Sequence, residues 1–301
     1  MTLDPQIREL LDLFASDASI KPIGALTPSE MREQTRRMSR AFGGRPPEVG
    51  DVLDRQCPGP DGDIGLRVYT PRAAQPPGPA VVFFHGGGWV TGDLESHDTL
   101  CRTLCSFGAV RVIAVDYRLA PEHPFPAAVL DALAATRWVA SNAASLGIDR
   151  TRMGVAGDSA GGNLAAVVAQ ELRGIEPALR AQLLIYPVVD TRIDTPSYIE
   201  NATGYLLERA GMQWFFERYA PDPRDVRAAP LNAADLSNLP PALILTAGYD
   251  PLRDEARAYA SALRDAGNSV ELREKTGLVH GFATMGGVCE AGRKAVEEAG
   301  R

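Results

Sequence analysis

Ser159 stands in Gly157-Asp158-Ser159-Ala160-Gly161, after the apolar run 153–156 and before a stretch in helical spacing that reaches residue 173. The pattern predicts strand, tight turn and helix, with the serine at the turn. A side chain there needs a strained backbone, which is tolerable only when the residues two places away on either side carry no side chain to collide. Gly157 and Gly161 meet that requirement. The hydroxyl is then held clear of the sheet, and the N–H of Ala160 falls in the first turn of a helix, where backbone donors have no internal partner. A nucleophile and an oxyanion donor arrive together.

A serine hydroxyl attacks a carbonyl near neutral pH only if a base takes its proton, and the base needs a carboxylate to orient it. The chain has four histidines. His85 belongs to a glycine loop, His97 falls on a predicted helix, and His123 is pinned among Pro121, Pro124 and Pro126. His280 remains, in Gly277-Leu278-Val279-His280-Gly281-Phe282 after the last predicted strand. For the acid, Asp250 ends the apolar run 242–247, at the edge where ligands gather in parallel sheets. An aspartate followed by proline is also how a helix is capped, so Asp250 carries two readings that are compatible. Asp254 and Glu255 come a turn later and are expected to point elsewhere. Ser159, Asp250, His280 is also the chain order of hydrolases built on a strand–serine–helix turn.

His85-Gly86-Gly87-Gly88-Trp89 follows directly on the apolar run 80–84. Three consecutive glycines leave their N–H groups unshielded, and such a loop can supply the other half of an oxyanion hole. None of this chemistry needs a cofactor or a metal. His97, Cys101 and Cys105 recur every four residues, but three positions on one helix without a further ligand pair read as a packed face.

The elements that must position these groups follow from periodicity. Residues 1–45 read as helical, with Thr27-Pro28 as a cap and first-turn proline and Met31, Met38 and Phe42 on one stripe. Alternating segments at 49–55 and 64–70, separated by Pro58-Gly59-Pro60-Asp61-Gly62, predict an edge hairpin. Continuous apolar runs at 80–84, 111–117, 152–156, 181–186 and 242–247 and a last strand at 269–274 alternate with helices at 96–107, 126–144, 160–173, 254–266 and 290–301. Strands apolar on both faces mean a mostly parallel sheet covered on both sides, an α/β protein. Between 187 and 240 the alternation breaks, and an aromatic-rich insertion intervenes. There Met212, Phe215, Phe216 and Tyr219 form a helical stripe, readable as ordinary core or as an acyl-binding wall.

Composition narrows the function classes. A net charge of −7 with no basic block gives no support for nucleic-acid binding. No stretch approaches the roughly 18 apolar residues that span a bilayer, and residues 1–14 lack the basic start and unbroken apolar run of a secretory signal. The expectation is a soluble, cytoplasmic protein whose four cysteines are too scattered for a disulfide framework.

Five motifs together carry a resemblance: His85-Gly86-Gly87-Gly88-Trp89, Asp116-Tyr117-Arg118-Leu119-Ala120-Pro121-Glu122, Gly157-Asp158-Ser159-Ala160-Gly161-Gly162, Asp250-Pro251-Leu252-Arg253-Asp254-Glu255 and His280-Gly281-Phe282. They resemble the bacterial hormone-sensitive-lipase-like esterases of the α/β-hydrolase fold, in the branch with Asp before the nucleophile. The resemblance covers most of the chain. It implies an eight-stranded, mostly parallel sheet with helices on both faces and a helical cap. It implies Ser159 as nucleophile, Asp250 as orienting acid and His280 as base, with Gly87, Gly88 and Ala160 forming the oxyanion hole and Gly86 a further candidate. It also implies a division into 1–45 (N-terminal part of the cap), 46–187 (catalytic domain, first part), 188–225 (cap insertion) and 226–301 (catalytic domain, second part). Trp89, Tyr205, Trp214 and Phe215 are the aromatic candidates for substrate contact.

The function expected is a serine carboxylesterase acting on small-molecule esters with short to medium acyl chains through an acyl-enzyme. An amidase, lactonase or deacetylase would use the same triad. A ligand-binding protein on a hydrolase scaffold is the non-catalytic rival, since fold does not fix function. Relatives often pair through the last strand and helix, which leaves a homodimer open.

Overall fold

The computed structural model describes residues 2–17, 21, 23–175 and 178–301; the part of the helical reading of 1–45 that falls on 1, 18–20 and 22 lies outside them. The elements in chain order are α1 (Pro5–Ser16), α2 (Pro28–Phe42), β1 (Asp51–Gly59), β2 (Gly62–Thr70), β3 (Gly78–Phe84), α3 (Asp98–Gly108), β4 (Arg111–Asp116), α4 (Ala127–Ser141), β5 (Ile148–Asp158), α5 (Ala160–Glu171), β6 (Gln182–Ile185), α6 (Pro196–Glu200), α7 (Arg209–Tyr219), β7 (Ala242–Tyr249), α8 (Arg253–Asp265), β8 (Val270–Val279) and α9 (Glu290–Gly300).

The strands form one eight-stranded sheet in the order β1-β2-β4-β3-β5-β6-β7-β8. β1 with β2 and β2 with β4 are antiparallel, and every pair from β4–β3 onward is parallel. Successive side chains of a strand point to opposite faces, and the two cores divide accordingly. Val82, Ile113, Val155, Leu184 and Ile244 pack with α4, α5 and α8. Their neighbours Phe83, Val112, Ala156, Ile185 and Leu245 pack with α1, α3 and α9. This explains why the inner strands read as unbroken apolar runs.

Three expectations need correction. The hairpin turn is tighter than the Pro58–Gly62 loop, because β1 pairs with β2 through Pro58↔Asp63 to Gly59↔Gly62. β8 runs five residues past 274, to Val279, so His280 follows its last residue directly. His97 is not inside a helix; it is the residue before α3, which turns its ring toward the glycine loop.

α2 begins with a reciprocal cap. Glu30 N–H donates to Thr27 Oγ1 (3.3 Å), and Thr27 N–H donates to Glu30 Oε2 (2.8 Å). Arg32 ties this helix to the rest of the molecule: its guanidinium donates to the carbonyls of Val90 (2.9 Å) and Ala120 (3.0 Å) and to Glu122 Oε1 (2.9 Å). The insertion between β6 and β7 carries α6 and α7.

Candidate active site

The chain turns sharply between β5 and α5. Ser159 sits there at φ 55° and ψ −119°, a positive-φ conformation that costs a non-glycine residue free energy and persists only where its surroundings hold it. They do so through Ser159 N–H donating to the Ile185 carbonyl (2.9 Å) and the Ser159 carbonyl accepting from Asn163 (3.0 Å) and Val188 (3.2 Å). A Cβ at Gly161 would overlap the carbonyl oxygen of Phe84, and one at Gly157 would overlap the backbone of Gly161. Both glycines are required by this close approach of backbone to backbone.

The chain from serine to acid is continuous. Ser159 Oγ lies 3.0 Å from His280 Nε2, and His280 Nδ1 lies 2.8 Å from Asp250 Oδ2. Asp250 is fully buried; its other oxygen accepts the Leu252 N–H at 2.8 Å. Thus its two readings combine: one carboxylate oxygen organises the turn into α8, and the other faces the histidine. The Tyr186 ring packs 4.5 Å from the His280 ring. Asp254 and Glu255 do point elsewhere. Asp254 accepts from Ser197 N–H (2.8 Å), and Glu255 accepts from Val189 N–H (2.8 Å). Burial pushes the Glu255 carboxyl well above its ordinary value.

Facing the serine is the loop 85–89. The Gly86 N–H donates to Asp158 Oδ1 at 2.8 Å, so it is already engaged. Gly87 (φ 117°) and Gly88 (φ 59°) adopt left-handed conformations and border the same cavity as Ser159 and His280. Ala160 opens α5, where its N–H has no intrahelical partner.

Beneath this loop lies a buried cluster that the sequence did not announce. His97 Nε2 is 3.3 Å from Asp158 Oδ1, and Ser96 Oγ is 3.0 Å from His97 Nδ1. His85 stacks on Tyr117 at 4.2 Å, and the Tyr117 hydroxyl donates to the His85 carbonyl at 2.7 Å. His85 Nδ1 lies 2.9 Å from the Gly86 carbonyl and so carries the proton. Burial, reinforced by His97, lowers the His85 pKa to about 4. Burial opposes the charge of Asp158, but His97 and the Gly86 N–H outweigh it and hold that carboxyl below its ordinary value. The available signal was the position of Asp158 beside the serine; its partners lie more than 60 residues away.

The cavity is open to solvent and has a volume of about 190 Å³. Of the four aromatic candidates, Phe215 lines it. The other three lie off its walls. Trp89 is buried and stacks on Tyr219 at 4.2 Å, which fastens the glycine loop to α7. Trp214 packs edge-on against Phe215 under the Arg218 guanidinium. Tyr205 leans on Tyr249 at 4.9 Å. Cys101 and Cys105 lie on α3 and are buried in the core.

A serine at a strand–helix turn, hydrogen-bonded to a histidine and through it to an aspartate at the carboxyl edge of a mostly parallel sheet, is the arrangement of an α/β hydrolase. A family model described as alpha/beta hydrolase fold matches residues 81–284, and the chain belongs to this family, in its hormone-sensitive-lipase-like branch. It is 43% identical over 300 residues to the carboxylic ester hydrolase LipN of Mycobacterium tuberculosis, covering 94% of this chain and 78% of that protein. It is 40% identical over 301 residues to an ethyl acetate hydrolase of Pseudomonas putida, covering 96% and 95%. Among solved structures, a hyperthermophilic esterase of the archaeon Pyrobaculum calidifontis superposes with a TM-score of 0.92 at 42% identity, covering 100% of this chain and 97% of that one. An ester hydrolase from the metagenome of Lake Arreo, solved with a derivative of bipyridine phosphonate, superposes with a TM-score of 0.95 at 42% identity, covering 99% and 97%.

Proposed function

We propose that the chain is a serine carboxylesterase for small-molecule esters with short to medium acyl chains. The observation that carries this reading is the hydrogen-bonded run Ser159–His280–Asp250, with its serine end open to an apolar cavity. Ser159 Oγ attacks the ester carbonyl carbon while His280 Nε2 takes the hydroxyl proton, and the carbonyl π electrons move to oxygen. Gly87, Gly88 and Ala160 N–H groups hold that oxyanion. Collapse of the tetrahedral species breaks the bond to the alcohol oxygen, which leaves with the proton from His280. Water, deprotonated by the same nitrogen, then releases the acid and restores Ser159. Asp250 fixes the histidine tautomer and stabilises its charged form.

Residues 1–45 and 188–225 act together as the cap in this reading, supported by cavity contacts from Met31, Met38 and Phe42 on one side and Leu206, Leu207, Met212 and Phe215 on the other. The remaining segments, 46–187 and 226–301, form the catalytic domain. We also place the protein in the cytoplasm, as either monomer or homodimer. Its four cysteines are free and buried, and among the described residues no helix is long and apolar enough to cross a membrane.

The test is turnover of p-nitrophenyl esters from acetyl to palmitoyl, with and without a phosphonate that captures activated serine. Turnover peaking at short or medium chains and abolished when Ser159 is phosphonylated is the expected result. No turnover and no labelling would replace the esterase with a binding protein; labelling without ester turnover would move the substrate to an amide, a lactone or another acyl compound.

A further inference from the structure

The chain contains six methionines, and four of them, Met31, Met38, Met212 and Met285, line the cavity above Ser159. They come from three separate segments. Met31 and Met38 lie seven residues apart on α2, Met212 is on α7, and Met285 ends the short turn that follows His280. Met153, by contrast, is buried in the core under the sheet. Chance convergence is a poor account of this, because the cavity walls are a small fraction of the chain.

Methionine is unbranched, has three rotatable side-chain bonds and a polarisable thioether, and can refill a gap of almost any shape. Leucine, at similar volume, is branched and stiffer. Most of the remaining apolar wall, such as Ile23, Val188 and Leu207, is of the stiffer kind, and Phe42 and Phe215 add aromatic faces. Met31, Met212 and Met285 are 8%, 2% and 6% exposed and Met38 is half-buried, so the first three are packed mainly against protein neighbours and Met38 offers the open cavity the most surface.

Resting on the esterase reading, we propose that these four methionines are the specificity-determining residues of the site: a deformable wall that admits esters whose acyl part is branched or cyclic as well as linear. The substrate class is then defined by tolerance of shape, with chain length bounded by the cavity.

The test compares kcat/KM for p-nitrophenyl acetate, hexanoate, pivalate and cyclohexanecarboxylate in the parent and in a variant combining Met31→Leu, Met38→Leu, Met212→Leu and Met285→Leu. The ratio of cyclohexanecarboxylate to acetate should fall about 10-fold, the scale of discrimination that hydrophobic pocket shape provides. If the combined variant fails to fold, Met38→Leu and Met285→Leu alone should each lower the ratio at least about threefold on the same grounds. Met153→Leu, outside the cavity, should leave the ratio where it is. Ratios unmoved in the wall variants, or moved equally by Met153→Leu, overturn the proposal while ester turnover in the parent keeps the esterase reading. A parent that neither turns over esters nor is labelled by a phosphonate overturns both.

Discussion

The floor and the roof of the cavity are built on opposite plans. The floor, at the carboxyl edge of β3, β5 and β7, is fixed by backbone crowding at Gly157 and Gly161 and by hydrogen bonds of 2.7–3.3 Å among Tyr117, His85, Gly86, Asp158 and His97. The roof, from α2 and α7, meets the cavity mainly through long apolar side chains and is tied down by a few contacts such as those of Arg32. Chemistry that depends on fractions of an ångström needs the first plan. Choice among substrates of differing shape is served by the second.

The largest effect that could break this division is at the floor. Ser159→Ala should lower kcat about 10⁶-fold with the fold intact by circular dichroism; residual hydrolysis well above that level would place the nucleophile elsewhere. Asp250→Asn should lower kcat about 10⁴-fold through the wrong histidine tautomer. If kcat is kept and only the melting temperature drops, the carboxylate serves the turn before α8 alone.

Acid should weaken the floor in two stages. His85 is depressed from 6.5 to about 4, so as pH falls below about 6.5 the unfolded chain takes up a proton that the folded chain refuses, and stability declines until about pH 4. Asp158 is also depressed. Its contribution is complete above the unfolded carboxyl value, near 3.9, and is lost as pH falls through the folded one. Melting temperatures measured from about pH 8 to about pH 2 should fall along this course; a flat profile between about pH 6.5 and 4 would contradict the buried neutral His85. The smallest expected effect belongs to the roof. Arg32→Ala removes charge-assisted hydrogen bonds worth about 1–3 kcal/mol, read as a lowered denaturation midpoint, and its effect on kcat should stay far below that of Asp250→Asn.

The triad and the glycine loop of the floor were legible in the sequence because each of these parts is local. A serine between glycines, a glycine triplet after a strand, and a histidine and an aspartate at strand ends can each be recognised within ten residues. Periodicity likewise revealed the alternation of strands and helices, since buried strands leave continuous apolar runs. The order of the strands in the sheet and the Asp158–His97–His85 cluster are set by contacts between distant segments, which leave no local mark. Trp89 shows the same limit: it stood among the aromatic candidates for substrate contact, and its ring is stacked on Tyr219, 130 residues on. Methionines in helical spacing read as core, and only their convergence from three segments gives them a second meaning.

The crowding at Gly157 and Gly161 also governs how such a protein can diversify. A library randomised there would lose nearly every member, because even alanine must displace backbone that positions the serine. The same library spread over residues 31, 38, 212 and 285 would yield many folded members with shifted preferences. Variation is thus channelled toward new substrates and away from new chemistry.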